Sequence, residues 1–206
     1  AYKGGLNPKR QFIKELDRIP FPAVDLLPLQ NYWNLGYAHG PVNGKYMHLI
    51  TSRGCRYHCA FCSTPKVWQQ VWRARSPVNV ADEIEYYFRQ FGITDFHVQD
   101  DAFTLSRQRV IEISREIIKR KLPVIWKMPA GLKAEEVNEE TLEWMSKSGL
   151  RYLSFSPESG STRILSMMKK KFDYQHGLWL ASACHKLKIK TQACFILGML
   201  TETDED

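Results

Sequence analysis

The amino-acid sequence reads as an α/β protein built on a parallel sheet, and three observations carry that reading. Beyond Gly44, five strand-like runs alternate with helix-like runs. Such alternation makes a parallel sheet whose right-handed crossovers are helices. The helical runs also carry start and stop signals. Finally, polar residues capable of chemistry fall at or just after the strand ends, where parallel α/β folds build their sites.

Taken in order, Tyr46 to Thr51 is the first buried strand. Ser76 and Pro77 open a helix as cap and first-turn residue. Val80, Ile84, Tyr87, Phe88 and Phe91 keep a helical period up to Gly92, which ends it. Thr94 to Gln99 is the second strand, and Ser106 to Arg120 a helix with Val110, Ile113 and Ile117 on one face. Pro123 to Met128 is the third strand. Asn138 to Ser148 is a helix with an Asn cap, an acidic first turn and Gly149 beyond its end. Arg151 to Ser156 is the fourth strand, Ser161 to Lys169 and Tyr174 to Leu187 are helical, and Thr191 to Leu197 is the fifth strand. A cysteine loop follows the first strand, Asp100 and Asp101 the second, Glu158 the fourth and Glu202 the fifth, while Lys127 ends the third. All are expected at one mouth.

Residues 1–44 hold no sustained period and carry Pro8, Pro20, Pro22, Pro28 and Pro41. Only Gln11 to Arg18 suggests a helical turn or two. The stretch reads as an extended linker packed along its neighbour through Phe21, Leu26, Leu27, Tyr32 and Trp33. Residues 45–206 form the second unit.

A hydrophobic fraction of 44% suits a soluble domain, no apolar run reaches membrane-span length, and no secretory signal is present. A cytoplasmic protein is expected, and the start at Ala1-Tyr2-Lys3 suggests a piece of something longer. The net charge is +7. Its densest run, Lys169-Lys170-Lys171, reads as a solvated helix end, so charge alone does not make a nucleic-acid binder. Cys184 and Cys194 sit in apolar contexts and read as small core residues.

Cys55, Cys59 and Cys62 stand in C-x3-C-x2-C spacing. Three thiols on so short a loop fit a metal centre better than disulfides. A structural zinc takes four ligands, and using the adjacent His58 as the fourth is awkward. A [4Fe–4S] cluster on three thiolates leaves one iron for a ligand outside the protein. Arg53, Arg56 and His58 are expected to lower the thiol pKa values.

The segment Cys55-Arg56-Tyr57-His58-Cys59-Ala60-Phe61-Cys62 resembles the signature of the radical S-adenosylmethionine (SAM) superfamily. The resemblance implies a partial (β/α) barrel, here ending after about five strands. It implies that the cysteines hold a [4Fe–4S] cluster whose open iron binds the methionine part of SAM, with Phe61 beside the adenine. It further implies reductive cleavage of SAM to a 5′-deoxyadenosyl radical that abstracts hydrogen from a small-molecule substrate. A flavodoxin- or ferredoxin-like electron donor is implied as well. Gln99-Asp100-Asp101-Ala102-Phe103 is similar to a form found in the cobalamin-associated subgroup, placing Asp100 and Asp101 near the methionine amino group. Pro157-Glu158-Ser159-Gly160-Ser161 resembles a cofactor-facing segment. Its Glu158 suits ribose hydroxyls or an ammonium equally, and Glu158 and Ser161 also suit a helix cap. Asp100 equally suits a turn.

Gly198-Met199-Leu200-Thr201-Glu202-Thr203 departs from the family's Gly-x-Pro-Gly-Glu-Thr, although Gly198 still permits close backbone approach. Leu16 to Ala23 resembles the connector after a cobalamin-binding domain, while no Asp-x-His-x-x-Gly cobalamin motif occurs. The resemblance therefore points to cobalamin-dependent methyl transfer or cyclisation, with cobalamin held outside this chain. A methylthiotransferase-like or tRNA-modifying enzyme is the alternative, and a non-catalytic zinc or iron–sulfur module is the alternative of another class.

Overall fold

The computed structural model describes residues 10–206. Pro8 of the expected linker lies outside that range. Within the linker, Leu16–Arg18 and Val24–Leu26 are short 3-10 turns. Helix α1 (Leu29–Leu35) was not legible in the sequence. Strands β1 (Tyr46–Leu49) and β2 (Ser52–Arg53) follow, then α2 (Thr64–Trp68) and β3 (Arg73–Ala74). Next come α3 (Pro77–Phe91), β4 (Asp95–Val98), α4 (Arg107–Lys119) and β5 (Ile125–Leu132). The chain continues through α5 (Glu139–Lys147), β6 (Leu150–Glu158), α6 (Thr162–Met167), α7 (Tyr174–Lys186) and β7 (Lys190–Phe195).

The main sheet runs β1-β4-β5-β6-β7 in order, every pair parallel. A small antiparallel pair, β2 with β3, brackets the cysteine loop. The capping signals work as the side chains require: Ser76 accepts from Asn79 N–H at 3.2 Å, Asn138 from Thr141 N–H at 2.9 Å, and Ser161 from Ile164 N–H at 3.3 Å. Gly92 ends α3 in the left-handed region with φ 65°.

The sheet has two unlike faces. Phe96, Val98, Trp126, Met128, Leu153 and Phe155 pack beneath the helices, against Ile84, Ile113, Leu142, Met145 and Leu180. Alternation in a strand sends the intervening residues to the other face. That inner face is polar. His48 Nδ1 accepts from the Gln99 amide at 3.0 Å, Tyr152 bonds Gln192, and Ser154 Oγ lies 3.3 Å from Cys194 Sγ.

Lys127 corrects an expectation. Strand β5 runs on past Met128 to Leu132, so Lys127 is interior to it and not at the mouth. Its ammonium donates to Asp95 at 2.6 Å, Asn43 Oδ1 at 2.8 Å and Pro41 O at 2.6 Å, at the start of β4. A buried cation needs such full coordination. Burial would raise the Asp95 carboxyl, but its bonds to His97 and Lys127 hold it below the usual range.

Residues 10–44 pack against the rest of the chain through anchors that differ from those expected. Leu16 and Val24 are buried, whereas Leu26, Leu27 and Tyr32 are exposed. Asp17 accepts from Ser76 N–H at 2.8 Å, and Trp33 donates to Tyr46 O at 2.9 Å. Cys184 is a core residue, its thiol pushed up to about 12 by burial. Cys194 is not one, because β7 is the last strand of the described sheet and leaves it half-buried on the polar face.

Candidate cofactor site

The cysteine loop has little regular structure of its own and is fastened from outside. At its start Gly54 has φ 89°, and a Cβ there would fall 2.1 Å from Val71 O. Only glycine fits that conformation and that approach. Gly54 N–H donates to Asp101 Oδ2 at 3.2 Å, and Thr64 donates to Asp101 Oδ1 at 3.1 Å. Tyr57 donates to Glu136 Oε1 at 2.9 Å, while Thr104 donates to the other Glu136 oxygen at 2.7 Å. Ala60 N–H donates to Met168 O at 2.8 Å, tying the loop to the end of α6.

These ties place the loop over a cavity of about 480 Å³ at the carboxyl ends of the strands. Cys55, Cys59 and Cys62 line it together with Phe61, Asp100, Asp101 and Glu158. All three thiols are free and half-buried. Among the described residues they do not converge as a ready-made single-ion site. Burial pushes the Cys55 and Cys59 thiols up. A backbone N–H at Tyr57 opposes the rise at Cys55, and Lys170 opposes it at Cys59. The expected lowering by neighbouring cations does not prevail at these two thiols: the Arg56 and Cys55 charges interact, yet burial still sets the direction. The Arg56 guanidinium instead lies against the Tyr57 ring, 5.2 Å from its centroid.

The carboxylates divide by what they touch. Asp100 is buried and takes Thr51 N–H, the Thr51 hydroxyl and the Ser52 hydroxyl, each at 2.6 Å. Burial pushes its carboxyl up, opposed by those donors and by the Arg109 charge. Arg109 reaches Thr51 O at 2.8 Å, and burial brings its own pKa down to about 10. Asp100 therefore braces the strand end beneath the cysteine loop. Glu158 faces the cavity with φ 69°, a strained value for a residue with a side chain, and accepts from Lys170 at 2.6 Å. It does not cap α6; Ser161 does.

Ser159 is buried and accepts from Ser161 N–H at 3.1 Å, so it shapes the turn without lining the cavity. Gly198 also stands off the wall, with its N–H bonded to Glu202. Glu202 takes the Met199 N–H at 2.7 Å as well, which rebuilds the turn that the missing Pro-Gly pair would have made.

Three residues escaped the sequence reading: Glu136, Tyr57 and Lys170. The run Lys169 to Lys171 follows the C-cap of α6, with Lys169 and Lys171 exposed as a solvated helix end would be, whereas Lys170 turns into the cavity wall and pairs with Glu158. The shortness of the apolar stripe after Ser161 was the signal available.

The chain matches the model of the radical SAM superfamily over residues 49–206. It is 34% identical over 199 residues to the cytidylyl-2-hydroxyethylphosphonate methyltransferase of Streptomyces wedmorensis, covering 95% of this chain and 37% of that one. It is 31% identical to the anaerobic magnesium-protoporphyrin IX monomethyl ester cyclase of Rubrivivax gelatinosus, covering 97% of this chain and 35% of that one. The chain thus spans little more than a third of these two relatives. Among solved structures, the radical SAM methyltransferase TsrM of Kitasatospora setae, with cobalamin and a [4Fe–4S] cluster bound, superposes with a TM-score of 0.72 at 24% identity. That likeness covers 84% of this chain and 34% of the other. It gives the fold as the partial (β/α) barrel that the strand order suggests. By its signature loop, its sheet and its match over most of its length, the chain belongs to the radical SAM superfamily.

Proposed function

We propose that residues 45–206 are the core of a radical SAM enzyme that transfers a methyl group to a small-molecule substrate with the help of cobalamin held outside this chain. One observation carries the reading: three free cysteines on one loop share a cavity with Phe61, Asp101 and Glu158. The donor set fits a [4Fe–4S] cluster, which Cys55, Cys59 and Cys62 would hold through three thiolates, leaving one iron without a protein ligand. When bound and reduced, such a cluster supplies the electron that cleaves SAM to a 5′-deoxyadenosyl radical. The protein positions these groups and keeps water out.

Each residue has its own part in this proposal. Cys55, Cys59 and Cys62 ligate the cluster. Phe61 is 39% exposed at the cavity and offers its face to the adenine. Glu158, fixed by Lys170, accepts from the ribose hydroxyls or the methionine ammonium. Asp101 holds Gly54 at the cavity edge and is available to the ammonium. Asp100, Ser159 and Gly198 act on the cofactor only through the backbone they shape. Support for methyl transfer and for cobalamin comes from what the relatives are, and residues 10–44 would be the strap joining the core to such a domain.

Anaerobic reconstitution with iron and sulfide tests the reading. A broad iron–sulfur absorption band is expected, lost when Cys55, Cys59 and Cys62 all become Ala. A colourless protein, or a band that survives the triple substitution, overturns it.

A further inference from the structure

We infer that Glu136 is a positioning residue whose buried negative charge lowers the reduction potential of the cluster that the cysteine loop holds. The inference rests on the proposed function and concerns how readily that cluster takes up an electron. Glu136 ends the turn Ala134–Glu136 beyond β5, and it lines the same cavity as the three cysteines. One carboxylate oxygen accepts from Tyr57 at 2.9 Å and the other from Thr104 at 2.7 Å. Tyr57 stands two residues after Cys55, so this carboxylate is bonded to the cysteine loop itself.

The carboxylate is buried without a matching cation. Among the described residues, no Lys or Arg nitrogen lies within ion-pair distance of it. Arg107 bonds the Glu136 carbonyl at 2.7 Å, and Lys133 is paired with Glu135 at 3.5 Å. Arg56 is exposed and touches the Tyr57 hydroxyl at 3.1 Å, where water and salt screen its charge. The other carboxylates of the cavity are offset or screened. Glu158 is paired with Lys170, Asp100 is opposed by the Arg109 charge, and Asp101 is exposed.

The turn that carries Glu136 is fixed from several sides. Ala134 and Val137 are buried beside it. His176 Nε2 lies 3.0 Å from the Ala134 carbonyl and 2.9 Å from that of Val137, and Arg107 donates to the Glu135 carbonyl at 2.9 Å. A charge held this way cannot turn aside when the charge beside it changes. Net charge and hydrogen bonding around an iron–sulfur cluster set its potential. An anion in a site of low dielectric opposes the arrival of a further negative charge, so it favours the oxidised cluster. The hydroxyls of Tyr57 and Thr104 are what allow that anion to be buried.

The test is a potentiometric titration of the reconstituted chain without SAM, followed by electron paramagnetic resonance of the reduced cluster. Reduced viologen gives up one electron and each cluster gains one; no proton or group moves. Glu136→Gln removes the charge and is expected to raise the ratio of reduced to oxidised cluster at least tenfold at a fixed potential, a shift of about 59 mV for a one-electron couple. Tyr57→Phe cuts the tie but leaves the charge, and Glu136→Asp keeps the charge; both should stay within twofold of the parent. The shift should persist at high salt, because a buried charge is poorly screened. An unchanged midpoint in Glu136→Gln, a shift that Tyr57→Phe reproduces in full, or one that high salt abolishes overturns the inference. If Glu136→Gln holds no cluster, Glu136→Met is titrated in its place, and loss of the cluster in both makes the residue a structural tie and overturns it too. A parent chain that takes up no iron fails the proposed function instead, so the two failures are distinguishable.

Discussion

Lys170 donates to Glu158 across 2.6 Å at the wall of the cavity that the three cysteines line, and both side chains are about nine-tenths buried. The pair joins two structures: Glu158 ends β6, and Lys170 lies just past the carbonyl of Met168 that holds the cysteine loop. Lys170→Met should leave a buried carboxylate without its partner and cost about 3–5 kcal/mol. Glu158→Gln, which keeps an acceptor, should cost less. Urea denaturation of both variants checks the order, and the idea fails if Lys170→Met is as stable as the parent.

Gly54 offers a second test, at the loop's other end. An added Cβ meets Val71 O and must also take a positive φ, so Gly54→Ala should cost about 1–3 kcal/mol of local strain. The cysteine loop should shift with it. Iron bound per chain after reconstitution should fall well below that of the parent, whereas Gly44→Ala, where φ is 79° but no atom lies within 4 Å, should bind iron normally.

Lys127 separates the base of the sheet from its mouth. Lys127→Met strands the Asp95 carboxylate in a buried site and should cost about 3–5 kcal/mol. Because it lies far along β5 from the cysteine loop, variant protein that folds should still take up a full complement of iron. A stable Lys127→Met protein unable to bind iron would contradict that separation.

The inner-face histidines predict a pH dependence. His48 has its pKa lowered from 6.5 by burial first, then by His97 and His39. The unfolded chain therefore takes up the proton more readily than the folded one. Stability should decline as pH drops through 6.5 and level off once the folded-state value is passed. His48→Gln should flatten that decline, as read from unfolding midpoints between about pH 5 and 8, the range in which histidine changes charge.

Local signals carried most of the fold. Ser76, Asn138 and Ser161 cap their helices because each accepts a bond three residues on, and a three-residue spacing is visible in a sequence. The three cysteines were legible for the same reason. Lys127 and Lys170 were not. Each is defined by a partner distant in the chain, Asp95 in one case and Glu158 in the other, and no local period shows that a lysine is buried. Asp100 is an expected cofactor contact by the family resemblance and equally suits a turn; it lines the cavity, and what no local pattern shows is that its oxygens take bonds from Thr51 and Ser52. The cations that the sequence sets beside the thiols are their chain neighbours, whereas Lys170, which acts on Cys59, comes from a distant part of the chain.

The most direct test of the central claim, that three cysteines leave one iron open to SAM, is electron paramagnetic resonance of the reduced, reconstituted chain with and without SAM. A spectrum that changes when SAM is added, with the change weakened in Glu158→Gln, is the predicted result. A cluster whose spectrum is the same with and without SAM would contradict the account.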